Sequence, residues 1–125
     1  MPKIKHIAFT VYPGTDMKKA RAFYEKALGL KVTNNFGNVW LEYILAGACL
    51  ALMDVKKIGA GARPAHDAGG SIAFEVDDLD GFVKKLRQRG VTVIAENIEA
   101  PGCLQAYVKD PSGNVVGLHQ KKPRR

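Results

Sequence analysis

GSIAFEVDDL, residues 70–79, repeats a core that the chain has already used in KHIAFTV, residues 5–11. The shared I-A-F-x-V pattern recurs 65 positions on, with Ser71 where the first copy has His6. In both copies the apolar residues alternate with the rest: Ile7, Phe9 and Val11, then Ile72, Phe74 and Val76. A period of two predicts a strand with one apolar face. Whether the match marks a duplication depends on the residues C-terminal to each copy.

Each predicted strand runs into a helical pattern. Met17, Ala20, Phe23, Tyr24, Ala27 and Leu28 share one stripe, with Thr15 or Asp16 as cap. Leu79, Phe82, Val83 and Leu86 form the second stripe, capped by Asp77 or Asp78. The helices end at Gly29 and Gly90, residues that close a helix in the left-handed conformation at little cost. Strands come next at 30–32 (LKV) and 91–93 (VTV), then at 39–45 (VWLEYIL) and 103–109 (CLQAYVK), then at 49–54 (CLALMD) and 115–120 (VVGLHQ). Asp110-Pro111-Ser112-Gly113-Asn114 is a turn by composition. Residues 56–69, KKIGAGARPAHDAG, hold three glycines and a proline without periodicity and read as a linker.

The chain is therefore expected to be an α+β fold of two βαβββ modules in tandem. Module one covers 3–54, the linker 56–69, module two 70–120 and a basic tail 121–125. A unit of about 50 residues buries too little surface alone, so the modules should share a core. Helices are expected to cover the Ile/Phe/Val faces. The opposite faces of a curled mixed sheet would then line a concave ligand cleft.

Composition narrows the function classes. The chain has 125 residues, of which 46% are apolar, enough for one packed domain. No apolar run approaches the ~20 residues of a membrane span. MPKIKH lacks a secretory apolar stretch, which predicts a cytoplasmic protein. Cys49 and Cys103 form no C-x-x-C motif and fit a reducing compartment. The net charge is +7, but Lys121, Lys122, Arg124 and Arg125 supply four of the positive charges. Elsewhere 15 basic side chains face 12 acidic ones, a net of +3. That distribution reads as a solvated tail and argues against a nucleic-acid surface.

ARAFYEKALGL at 20–30, IAFEVDDLD at 72–80 and DPSGNVVGL at 110–118, in this order and spacing, resemble the vicinal oxygen chelate superfamily. That group includes glyoxalase I, extradiol dioxygenases and the fosfomycin and bleomycin resistance proteins. The resemblance covers about residues 3–120. In its metal-using members, side chains from the first and last strand of each module hold one divalent ion, a Lewis acid for substrate oxygens. The resemblance places those four positions at His6, Ala51, Ser71 and Gly117. His6 alone is a competent ligand there, so no cofactor is expected. Under the alternative, Zn, Ni, Fe or Mn would need a shifted site built from His6, Glu75 and His119.

Two functional readings are supported. The first is a metal-free protein that sequesters a small organic molecule, as bleomycin-resistance proteins do. His6, Trp40, Glu42, Met53, Ser71, Glu75, Tyr107 and His119 are its candidate ligand-binding residues, with Tyr43 and Gln105 as further contributors. The second is a glyoxalase-like lyase or isomerase, or a dioxygenase, with a divalent metal, or with His6 as a metal-free general base. The resemblance also implies a homodimer. A third reading makes KKPRR a docking element for an acidic partner. Cys49 is expected to be a small buried hydrophobe, since no cation stands near it in sequence. His66 falls in the linker.

Overall fold

The computed structural model describes residues 3, 5–57, 72–100 and 102–123. Ser71, His66, linker residues 58–69 and Arg124–Arg125 of the tail lie outside them. The described chain runs β1 (Thr10–Gly14), α1 (Met17–Arg21, continued by a π-helical turn, Ala22–Ala27), β2 (Asn34–Phe36), β3 (Trp40–Leu45) and β4 (Ala48–Asp54). It continues with β5 (Ile72–Glu75), α2 (Leu79–Gln88), β6 (Thr92–Ala100), β7 (Cys103–Lys109) and β8 (Val115–Lys121).

The strands make two four-stranded sheets, ordered β1-β4-β3-β2 and β5-β8-β7-β6. In each sheet the first strand lies parallel to the last, and the other pairs are antiparallel. The same order in both halves is the expected pair of βαβββ modules. One cluster of buried side chains draws on both: Tyr24, Leu41 and Leu52 from module one, Leu86, Val108 and Leu118 from module two. The core is shared, as the size argument requires. No helix among the described residues is long and apolar enough to cross a membrane.

Both helices start where the capping pattern predicts. The Asp16 carboxylate accepts from the Lys19 N–H at 3.1 Å, and that of Asp78 from the Gly81 N–H at 3.1 Å. Each cap is worth about 1 kcal/mol. Gly29 and Gly90 stand at φ 81° and 79° beyond the helix ends. The π-helical turn departs from the regular helix that the apolar stripe predicts. Its Leu28 N–H bonds the Phe23 carbonyl, five residues back, at 2.9 Å. A wider turn reduces the angle between neighbouring side chains, and Phe23 and Tyr24, adjacent in sequence, are both buried.

The opening match of the two strands is the main correction. Counted back from the helix caps, Thr10 is six residues before Asp16, and Ile72 is six before Asp78. Both residues open their strands. The structural counterpart of Phe74 is therefore Tyr12, not Phe9. KHIAFTV is three residues out of register with GSIAFEV. An odd slide turns every side chain to the other face. Ile72, Phe74 and Val76 pack on the core as expected, but Ile7, Phe9 and Val11 are 82%, 45% and 37% exposed. Tyr12, 3% exposed, takes the core position, and its hydroxyl donates to the Val115 carbonyl at 2.8 Å.

Two further strands differ from expectation. Leu30 and Val32 pack on the core without pairing, and β2 starts at Asn34, where the turn at residues 37–39 brings Phe36 opposite Trp40. β6 runs on to Ala100 because its pairing with β7 resumes after an irregularity between Ala95 and Ile98.

Candidate functional site

Strand register assigns each side chain to a face. In sheet one, Tyr12, Leu52 and Leu41 form a row on the helix side. The next row, Val11, Ala51, Glu42 and Asn34, faces the open side. In sheet two, Phe74, Leu118 and Ala106 lie under α2. Two rows face the open side there: Ala73, Gly117, Tyr107 and Ala95, then Glu75, His119, Gln105 and Ile98.

On sheet one the half-buried Trp40 meets the Phe9 ring edge to face, with centroids 5.1 Å apart. Its indole N–H donates to Glu42 Oε2 at 3.1 Å, while Asn34 Nδ2 donates to Oε1 at 2.9 Å. The carboxylate is thus fixed beside the aromatic pair. Met53, half-buried, is paired with Trp40 across the strands. The Cys49 thiol has its pKa raised by burial and then by Glu42, so it is a poor nucleophile. Tyr43 points away from the open face. It is 1% exposed under the helix, where its hydroxyl donates to Glu25 Oε2 at 2.8 Å.

On sheet two the polar residues of one row are joined. His119 Nδ1 lies 2.6 Å from Glu75 Oε1, and the Lys121 backbone N–H donates to Oε2 at 2.8 Å. These two contacts, the backbone one first, hold the Glu75 carboxyl below its ordinary pKa. Gln105 stands directly across the strands from His119. The Tyr107 hydroxyl donates to Gln105 Oε1 at 2.7 Å, and Gln105 Nε2 reaches Cys103 Sγ at 3.4 Å. Beside Glu75, a groove of about 420 Å³ runs along the seam between modules. Thr10, Leu45 and Cys49 line one side, Ala73, Phe74 and Glu75 the other. That volume suits a small organic molecule.

The metal positions carried over by resemblance can now be placed. Ala51 is fully buried. At Gly117 a Cβ would come within 3.1 Å of both Ala73 Cβ and Tyr107 Cε1. A side chain at 117 would therefore press on both Ala73 and the Tyr107 ring. His6 is exposed and outside any strand, and the slide of β1 removes its equivalence to Ser71. Seven residues before Asp78 is Ser71, and seven before Asp16 is Phe9, a side chain without a donor. Among the described residues no three His, Cys, Asp or Glu side chains form a group able to hold a metal. Glu75 and His119 meet, but His6 does not join them. These residues do not fit the four-donor centre of metal-using relatives. Counting from the caps, rather than matching I-A-F-x-V, would have found Phe9.

A profile of the Glyoxalase/Bleomycin resistance protein/Dioxygenase superfamily matches residues 3–118. The chain belongs to that superfamily. Lactoylglutathione lyase of Salmonella typhimurium is 27% identical over 116 residues, 86% of each chain. The uncharacterized protein YetH of Bacillus subtilis is 26% identical over 121 residues, 94% of this chain and 99% of that one. Among solved structures, the antibiotic binding protein TnmS3 from Streptomyces sp. CB03234 superposes with a TM-score of 0.75 at 29% identity, covering 98% of this chain and all of its own. A lactoylglutathione lyase from Agrobacterium tumefaciens gives the same score at 20% identity, a likeness of fold alone.

Proposed function

We propose that this chain is a small-molecule-binding protein that works without a resident metal, in the manner of the superfamily's sequestering members. One observation carries the reading: Ala51 and Gly117 offer no donor where metal-using relatives have one, and the Tyr107 ring fills the space beside Gly117. What remains on the open faces is binding equipment. The Phe9–Trp40 pair gives ring area, and Glu42 and the Glu75–His119 pair give fixed polar groups. The likeness to an antibiotic binding protein supports the same reading. Free Cys49 and Cys103 suit the reducing cytoplasm. Pairing into a homodimer would cover the exposed Phe36, Ile44 and Leu45.

Thermal-shift screening with aromatic and cationic compounds, beside elemental analysis of the purified protein, tests this. Saturable stabilisation with less than a tenth of an equivalent of metal is expected. A full equivalent of Zn, Ni, Fe or Mn would replace it with the enzyme reading, which the lyase relatives favour. Light scattering at micromolar concentration should give twice the 13.6 kDa chain mass.

A further inference from the structure

We infer that the polar row of sheet two is a recognition station for a hydroxyl group on an otherwise apolar, ring-bearing ligand. The inference rests on the binding-protein reading and names the chemistry of what is bound. His119 Nδ1 faces a carboxylate that can only accept, so Nδ1 carries a proton, and in the neutral imidazole Nε2 presents its lone pair. Glu75 cannot swing away easily, because its other oxygen is held by the Lys121 backbone N–H. Glu75 is thus a positioning residue for the imidazole. Gln105, directly opposite His119, has its carbonyl oxygen occupied by the Tyr107 hydroxyl. That fixes the amide orientation and leaves an N–H of Nε2, beyond the one directed at Cys103, as a donor.

The row therefore offers one acceptor and one donor across a single strand pair, about 5 Å apart at the backbone. A hydroxyl donates to the first and accepts from the second. An ether only accepts, a carboxylate only accepts and an ammonium only donates, so each satisfies one half. The seam groove, which shares Glu75 with this row, would take the rest of the molecule. Tyr107, by filling the position next to Gly117, moves the polar centre of this site one pleat along β8, from residue 117 to residue 119.

The test uses the full chain, 1-naphthol as probe, and 1-methoxynaphthalene and 1-naphthoate as controls. Imidazole ¹⁵N spectra of the free protein should show His119 protonated at Nδ1. Titration with 1-naphthol should move the His119 Nε2 resonance saturably. The methyl ether and the carboxylate should bind about 5–10-fold more weakly, the worth of one hydrogen bond. His119→Phe should remove that discrimination, and Glu75→Gln should shift the free tautomer towards Nε2–H. The inference is overturned by a proton on Nε2 in the unmodified protein, by equal binding of naphthol and its ether, or by failure of naphthol to bind. Naphthol binding that leaves His119 unmoved overturns it too, while the binding-protein reading stands. Metal content and the ligand screen decide that reading separately.

Discussion

The Tyr24 hydroxyl donates to Asp110 Oδ2 at 2.9 Å, joining the helix of module one to the last turn of module two across 86 positions. Asp110 is 5% exposed and Tyr24 fully buried. The same carboxylate accepts from the backbone N–H groups of Ser112 and Asn114, at 2.9 and 2.8 Å, and from Asn114 Nδ2 at 2.7 Å. Asn114, itself fully buried, also donates to the Pro13 carbonyl at 2.9 Å. Burial and then the Asp110 charge push the Tyr24 pKa upward, so the phenol stays a donor. The DPSGN segment, a turn by composition, is thus also the latch between modules.

Breaking that latch should be costly. Asp110→Ala removes the acceptor that Tyr24 and Asn114 share and should lower stability by about 2–4 kcal/mol. Tyr24→Phe removes one donor and should cost about 1–2 kcal/mol. Urea unfolding measures both. A loss under about 0.5 kcal/mol for Asp110→Ala, no more than a surface substitution costs, would show that the latch does not hold the modules together.

Acid should destabilise the protein through its paired carboxylates. Glu25 is held below its ordinary pKa chiefly by Arg21, whose guanidinium lies 2.7 Å away, with help from the Tyr43 hydroxyl. Glu75, Glu96 and Glu99 are lowered as well, by Lys121 and His119, by Arg87 and by Lys122. A carboxylate with a depressed folded pKa adds stability that is complete above its unfolded pKa, about 4.3. That stability is lost as the pH falls through the folded value. The urea midpoint should therefore hold from about pH 7 to pH 5 and drop below about pH 4.5, with a shallower drop for Glu25→Gln. An unchanged acid limb in Glu25→Gln would show that Glu25 does not carry this loss.

Much of the architecture could be read from residues whose meaning is local. Asp16 and Asp78 cap because their side chains reach the N–H three residues on, and Gly29 and Gly90 end helices by their own backbone freedom. Tyr43 lies opposite Trp40 and Glu42 by alternation alone. The face of β1 could not be read this way. Its apolar residues fit either register, and the residue that decides is Tyr12, through a bond to Val115 that lies 103 positions away. The Glu75–His119 pair was within reach, because it follows once Ala73 is set against Gly117. The closure of position 117 by Tyr107 was not, since it depends on a cross-strand ring contact.

That contact gives a third prediction. Gly117→Ala places a methyl 3.1 Å from Ala73 Cβ and Tyr107 Cε1 and 3.3 Å from Ala73 Cα. The ring can turn aside, but the Ala73 backbone, paired in β5, cannot. Overpacking of this kind costs about 1–3 kcal/mol. Tyr107→Ala in the same chain should recover part of it, giving a coupling of at least about 0.5 kcal/mol in a double-mutant cycle. Additive effects would show that Tyr107 does not fill the space beside residue 117.

Substitution of Trp40 distinguishes a ligand-binding open face on sheet one from a structural one. Its ring is half-buried on the open side, in edge contact with Phe9 and tied to Glu42, and it is the chain's single tryptophan. A core tryptophan truncated to alanine costs about 3–5 kcal/mol. A ligand-facing one should cost far less, because only the Phe9 edge and the Glu42 bond are lost. Trp40→Ala is therefore expected to lower stability by about 1 kcal/mol. The same change should weaken binding of the best compound from the ligand screen at least about tenfold, as loss of a stacking surface does. Trp40 emission in the unmodified protein should change saturably with that compound. A loss of about 3 kcal/mol or more, in the range of a core residue, with binding unchanged would assign Trp40 to packing and leave the open face of sheet one out of the site.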